Sequence, residues 1–188
     1  LTPITFSERT REALVSDGAV VRLSKIESLM DQKRESRPFW HIVDGPRGFL
    51  TLKARPIEVA IYPDPQRFFV PDSFNRTKFQ QEERLKSDAE DLRKRLGIDD
   101  VTEILPEVSE ATERFFGHFD ETGIRLLGKD YNHLFMRTNT PTNKSGSSVA
   151  DVGDFSDVVG LLVDDWRAGD GRPRIGAARW VVPSEIES

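Results

Sequence analysis

The run from Lys78 to Leu96 constrains the fold of this chain more than any other segment. Leu85, Ala89, Leu92 and Leu96 recur at the spacing of one helical face, and Gly97 supplies a left-handed stop. Glu82 and Glu83 stand toward the positive end of the helix dipole, and Arg93, Lys94 and Arg95 toward the negative end. A second helix is expected to start at Ser109, whose hydroxyl can cap it. Ala111, Phe115 and Phe119 form its buried stripe, and Gly123 ends it. Two amphipathic helices between strand-rich segments define an α+β chain.

The first segment reads as a short helix capped by Ser7 and stopped by Gly18. Strand signals follow at Ala19 to Leu23, Phe39 to Val43, Phe49 to Ala54 and Ile57 to Tyr62. Gly45-Pro46-Arg47-Gly48 is the expected hairpin connection, and Lys25 to Glu35 can form a helix with Ile26, Leu29 and Met30 inward. Pro63, Pro65 and Pro71 exclude a central strand from Pro63 to Phe74, which is expected to be an ordered loop anchored by Phe68 and Phe69. After Gly123, Ile124 to Leu127, His133 to Arg137, Val149 to Val152, Val158 to Val163 and Ala177 to Val182 are short apolar or alternating runs. The spacing predicts an antiparallel meander.

At 188 residues the chain can bury one sizeable core. A net charge of −5, without a lysine or arginine stripe, argues against nucleic acid as a partner. The absence of cysteine removes disulfides, thiolate catalysis and cysteine-ligated metal. No apolar run is long enough to cross a bilayer and no charged-then-apolar leader is present, so the chain as given is expected to be soluble.

Ser145 to Pro183 contains no lysine, glutamate, glutamine or methionine, where about six would fall if the chain's 29 were spread evenly. Every acid there is an aspartate and every base an arginine. Folding pressure does not explain the skew, since glutamate and lysine suit exposed strands and loops as well. A coding bias does: none of the missing types is specified by a codon ending in a pyrimidine, so randomised adenines in AAC-like codons produce this pattern. Trp166 and Trp180 are then fixed framework positions.

That pattern resembles the variable region of a protein diversified by a diversity-generating retroelement. The resemblance implies a C-type-lectin-like fold of two helices plus a twisted antiparallel sheet, with an N-terminal strand and helix extension. Residues 1–56 would be the extension, packed on a ligand-binding domain of residues 57–188 that carries the variable region at about 145–183. It also implies recognition of a protein or saccharide on a cell or viral surface, without cofactor or catalysis. The positions expected to alternate outward or sit on loop tips are Asp151, Gly153, Asp154, Ser156, Asp157, Gly160, Asp164, Asp165, Arg167, Asp170, Arg172 and Arg174.

The alternative is a metal-dependent or carboxylate-based hydrolase using the acids from Asp151 to Asp165. The sequence lacks the D-x-D-x-D-G calcium loop and the Glu-Pro-Asn, Gln-Pro-Asp and Trp-Asn-Asp triplets of sugar-binding C-type lectins. It also lacks G-x-S-x-G, H-E-x-x-H, the phosphate-binding G-x-x-x-x-G-K-[ST] and G-x-G-x-x-G. His41, His118 and His133 have no metal-type spacing, and no metal is expected. A third possibility, an assembly subunit, would show a large exposed apolar patch.

Overall fold

The computed structural model describes residues 2–32, 50–128 and 133–185, and the backbone of 39–41. In chain order the elements are α1 (Glu8–Ser16), β1 (Val20–Leu23), α2 (Leu29–Gln32), β2 (Phe39–His41), β3 (Glu58–Ile61), α3 (Pro65–Phe68), α4 (Lys78–Leu96), β4 (Val101–Glu103), α5 (Val108–Thr122), β5 (Phe135–Pro141), β6 (Ser148–Ser156), β7 (Gly160–Arg167), β8 (Ile175–Gly176) and β9 (Val181–Pro183). The fold is α+β with two sheets. Sheet A has the order β1-β3-β9-β4 and is antiparallel throughout. Sheet B has the order β2-β7-β6-β5-β8.

Three runs of the expected meander form the middle of sheet B, where β5, β6 and β7 pair antiparallel, whereas the last, Ala177 to Val182, leads into β9 of sheet A. The strands flanking the three are not antiparallel. β2 pairs parallel with β7 and β8 parallel with β5, because both arrive over long connections rather than tight hairpins.

Helix α4 has the boundaries that its periodicity demands. Thr77 and Gln80 form a reciprocal capping box, and Gly97 closes the other end at φ 67°. Helix α5 starts one residue before Ser109, with Glu107 as N-cap and its amide donating to Glu110 Oε1 at 3.2 Å. Ser109 is buried inside the first turn and its hydroxyl makes no cap. Gly123 ends α5 at φ 73°, as expected.

Every residue of α5 from Val108 to His118 is buried, because the helix runs between the two sheets. Phe115 and Phe116 meet Phe155 edge-on, and with Ile57, Val59, Ala150, Val163 and Trp180 they belong to the largest apolar cluster. Charged groups on α5 are therefore matched. Glu110 accepts from Arg55 at 2.7 and 3.1 Å, Glu113 pairs with Arg22, and Arg114 donates to the carbonyls of Val59 (2.9 Å) and Val20. Burial, followed by the charge of Arg22, lowers the Arg114 guanidinium to about 9.

Three further expectations change. Of the proposed Lys25 to Glu35 helix, the described helical part is α2, with Leu29 buried but Ile26 and Met30 exposed; residues 33–35 lie outside the described residues. Residues 50–54 form a turn and irregular chain rather than a strand, while Gly45 to Gly48 lie outside the described residues. Ile124 to Leu127 is a turn, because Leu127 sits at φ 52° and cannot continue a strand. The proline-punctuated loop contains one helical turn, α3, where Asp64 caps the Gln66 amide at 3.0 Å. Phe68 is buried there and stacks edge-on with Phe69 at 5.0 Å, in line with the anchoring expected.

Candidate functional site

The positions singled out in the tail do not form one surface. Ser156, Asp157 and Gly160 stand at the β6–β7 turn, and Arg167, Asp170, Arg172 and Arg174 at the opposite end of β7. An eight-residue strand separates the two groups by roughly 23 Å. The β6–β7 turn exposes Asp157 together with Val158 and Val159, which precede β7 rather than opening it.

Three positions expected to face outward are inside. Asp151 is 2% exposed and Gly153 is buried, because β6 is covered on both faces by packed structure, and Gly160 is buried at the start of β7. At Gly153 a Cβ would collide with the Leu134 carbonyl and, at 2.7 Å, with the Phe135 Cα, so the residue serves chain packing. Asp154 occupies a bulge at φ 46° and accepts or shares a hydrogen bond with His133 Nδ1 at 2.9 Å. Asp165 turns to the other face from Asp164 and accepts from Thr142 Oγ1 at 2.8 Å.

Asp151 stands between Arg137 on β5 and Asp164 on β7, all in one cross-strand row. Burial, followed by the charge of Asp164, pushes the Asp151 carboxyl well above the usual carboxylate range, against the pull of Arg137 and Arg172. Asp151 Oδ2 has no hydrogen-bond partner. No group of three or more histidines and acids able to hold a metal occurs among the described residues.

Arg137 was not singled out by any motif, yet it organises this end of the sheet. It is fully buried. Nε donates to Gln81 Oε1 at 2.5 Å, Nη1 to the Arg167 carbonyl at 3.2 Å, and Nη2 to the carbonyls of Arg76 (3.2 Å) and Asp170 (3.1 Å). One side chain thus ties α4, the loop before it and the β7–β8 loop to β5. The β7–β8 loop is further fixed by Asn75 N–H to the Arg172 carbonyl at 3.1 Å, and by Gly171, whose Cβ would strike the Asn75 carbonyl.

Above this anchored backbone the side chains reach solvent. Arg167, Asp170, Arg172 and Arg174 are exposed. The Arg167 and Arg172 guanidinium groups lie 5.4 and 4.7 Å from the Trp166 ring centroid, and Arg167 pairs with Asp170 at 2.9 Å. Beside them a shallow cavity of about 420 Å³ has Phe79, Pro141, Val149 and Ala168 as apolar wall and Lys78, Glu82 and Asn139 as polar lining. Phe79 is 69% exposed on its rim. A cleft with an apolar wall and Lys78, Glu82 and Asn139 in its lining can hold a polar ligand that has one apolar face.

Comparison of the chain with protein families, with curated proteins and with solved structures returns no match. No helix among the described residues is long and apolar enough to cross a membrane.

Proposed function

We propose that this protein is a ligand-binding display domain of C-type-lectin-like architecture. Its recognition surface is the end of sheet B where the 142–147 loop, the β7–β8 loop and the start of α4 meet. The skewed composition of residues 145–183, explained by adenine-directed retroelement mutagenesis, supports a surface whose side chains are exchanged. The partners it fits are proteins or saccharides on a cell or viral surface, engaged by Asp170, Arg172, Arg174 and the Phe79 cleft. The observation carrying the reading is the Arg137 anchor, which holds the β7–β8 loop while leaving its side chains outside.

The test is a library randomised at positions 167, 170, 172 and 174, displayed and sorted for folding and then for binding to a panel of proteins and glycans. Most members are expected to fold, and binders to different targets should emerge with different residues at those positions. A library that mostly fails to fold would refute the proposal. At the gene level, a nearby template repeat differing mainly at adenines, beside a reverse-transcriptase gene, is the expected companion.

A second reading, carboxylate-based hydrolysis, draws support from one observation: Asp151 and Asp164 are direct cross-strand partners in unequal environments. Asp164→Asn separates the readings, since it would abolish turnover of glycoside or ester substrates in a hydrolase and leave display binding intact.

A further inference from the structure

A second cavity lies against sheet A and shares Glu82 with the cleft just described. Strand β4 and helix α4 enclose about 410 Å³, with Leu85, Ile104 and Leu105 as apolar wall and Glu103 in the lining. That volume is within the range of small-molecule sites. Glu103 is only 4% exposed, and neither of its carboxyl oxygens receives a hydrogen bond. The protonated carboxyl can donate to Asp88, but the oxygen left over is buried in a cavity wall without a donor, which is costly and calls for one.

The backbone adds to the polarity of the same wall. Ser184 N–H donates to the Asp100 carbonyl (3.0 Å) and Ile104 N–H to the Trp180 carbonyl (3.2 Å), so the even-numbered residues of β4 bond toward β9. The amide and carbonyl of Glu103 therefore point to the outer edge of sheet A.

The charged neighbours of Glu103 are already engaged. On α4, Asp88 is gripped by Arg179, Arg93 donates to the Val101 carbonyl at 3.0 Å, and Lys86 pairs with Glu83 at 3.2 Å. Glu82 and Asp99 add negative charge to the lining. Glu103 and Asp88, the latter committed to Arg179, fall short of a metal shell, and the described residues hold no group of three ligands. A single ammonium group suits the site better: it brings three donors on a compact charge, and its carbon chain can lie on the apolar wall.

We propose that this cavity binds a small primary alkylamine, its ammonium on the Glu103 carboxylate and its methylenes against Leu85, Ile104 and Leu105. Burial and the adjacent Asp88 keep the empty site's Glu103 protonated well above the usual carboxylate range. Binding then exchanges that proton for the ammonium. The proton leaves to solvent and no covalent bond changes.

The test is an amide-resolved NMR titration of the whole chain with n-butylamine at pH 6 and pH 8, repeated with n-butanol. Saturable shifts at Leu85, Thr102, Glu103 and Ile104 are expected with the amine only, with affinity rising by up to about tenfold per pH unit while Glu103 retains its proton in the free protein. Glu103→Gln preserves the volume and can donate to Asp88, so it should fold, and it should weaken binding at least about tenfold. Absence of saturable shifts in the wild type, equal binding by n-butanol, or undiminished binding by Glu103→Gln overturns the proposal.

Discussion

Arg137 on β5 and Gln81 on α4 meet through a 2.5 Å hydrogen bond in the interior, and each is fully buried. Gln81 also donates to the carbonyls of Ser73 (2.9 Å) and Ile175 (3.1 Å), so the pair joins the helix, sheet B and the segments on either side of the candidate surface. Replacing Arg137 by methionine keeps much of the volume but orphans three carbonyls and the Gln81 amide oxygen. The expected loss is about 3–5 kcal/mol in a urea denaturation curve. Arg137→Lys should recover little of it, since one ammonium cannot span the same set of acceptors.

Within the β7–β8 loop, side chains and backbone should respond oppositely to mutation. Arg174→Ala is expected to change stability by less than about 0.5 kcal/mol, and Arg172→Ala, which removes a contact with Trp166, by about 0.5–1 kcal/mol. Gly171→Ala drives a methyl group into the Asn75 backbone and should cost about 1–3 kcal/mol. Thermal melts of the three variants check the contrast.

The contribution of two buried carboxyls to stability should fall as pH rises above the normal carboxylate range. Glu103 and Asp151 both have folded-state pKa values raised by burial, so the folded chain holds protons that the unfolded chain has released. Their penalty begins near the unfolded value of about 4 and grows until the folded values are passed. The double variant Glu103→Gln, Asp151→Asn should therefore be more stable than wild type at pH 8, by a margin that grows between pH 5 and pH 8. Chemical denaturation across that window would show it.

Trp180 and Trp166 should differ as framework positions. Trp180 is 0% exposed in the largest apolar cluster, so Trp180→Ala should cost about 3–5 kcal/mol. Its indole N–H has no partner, so Trp180→Phe should be much milder. Trp166 is half-buried, and Trp166→Ala should cost less than Trp180→Ala in the same denaturation assay.

The parts of the fold that could be read from the sequence are those determined locally. The bounds of α4 follow from its apolar spacing and Gly97 stop, which act within a few residues, while its Thr77 cap was not singled out. β4 and β8 escaped notice because two or three residues carry no periodicity, and their pairing depends on distant partners, Val181 to Pro183 and Phe135 to Met136. The burial of Asp151 escaped for a related reason. Period-two alternation separates inside from outside only when one face meets water, and β6 is covered on both. The Phe79 cleft had a faint signal: Phe79 lies off the Leu85, Ala89 and Leu92 stripe, so a large ring there has no place in the helix's buried face.

The acceptors that Arg137 grips at Arg167, Asp170 and Arg76 are peptide oxygens, which every amino acid carries. The clamp is therefore blind to spelling: the residues at 167 and 170 can be rewritten many times over, and the hand beneath them still finds the same three atoms to hold.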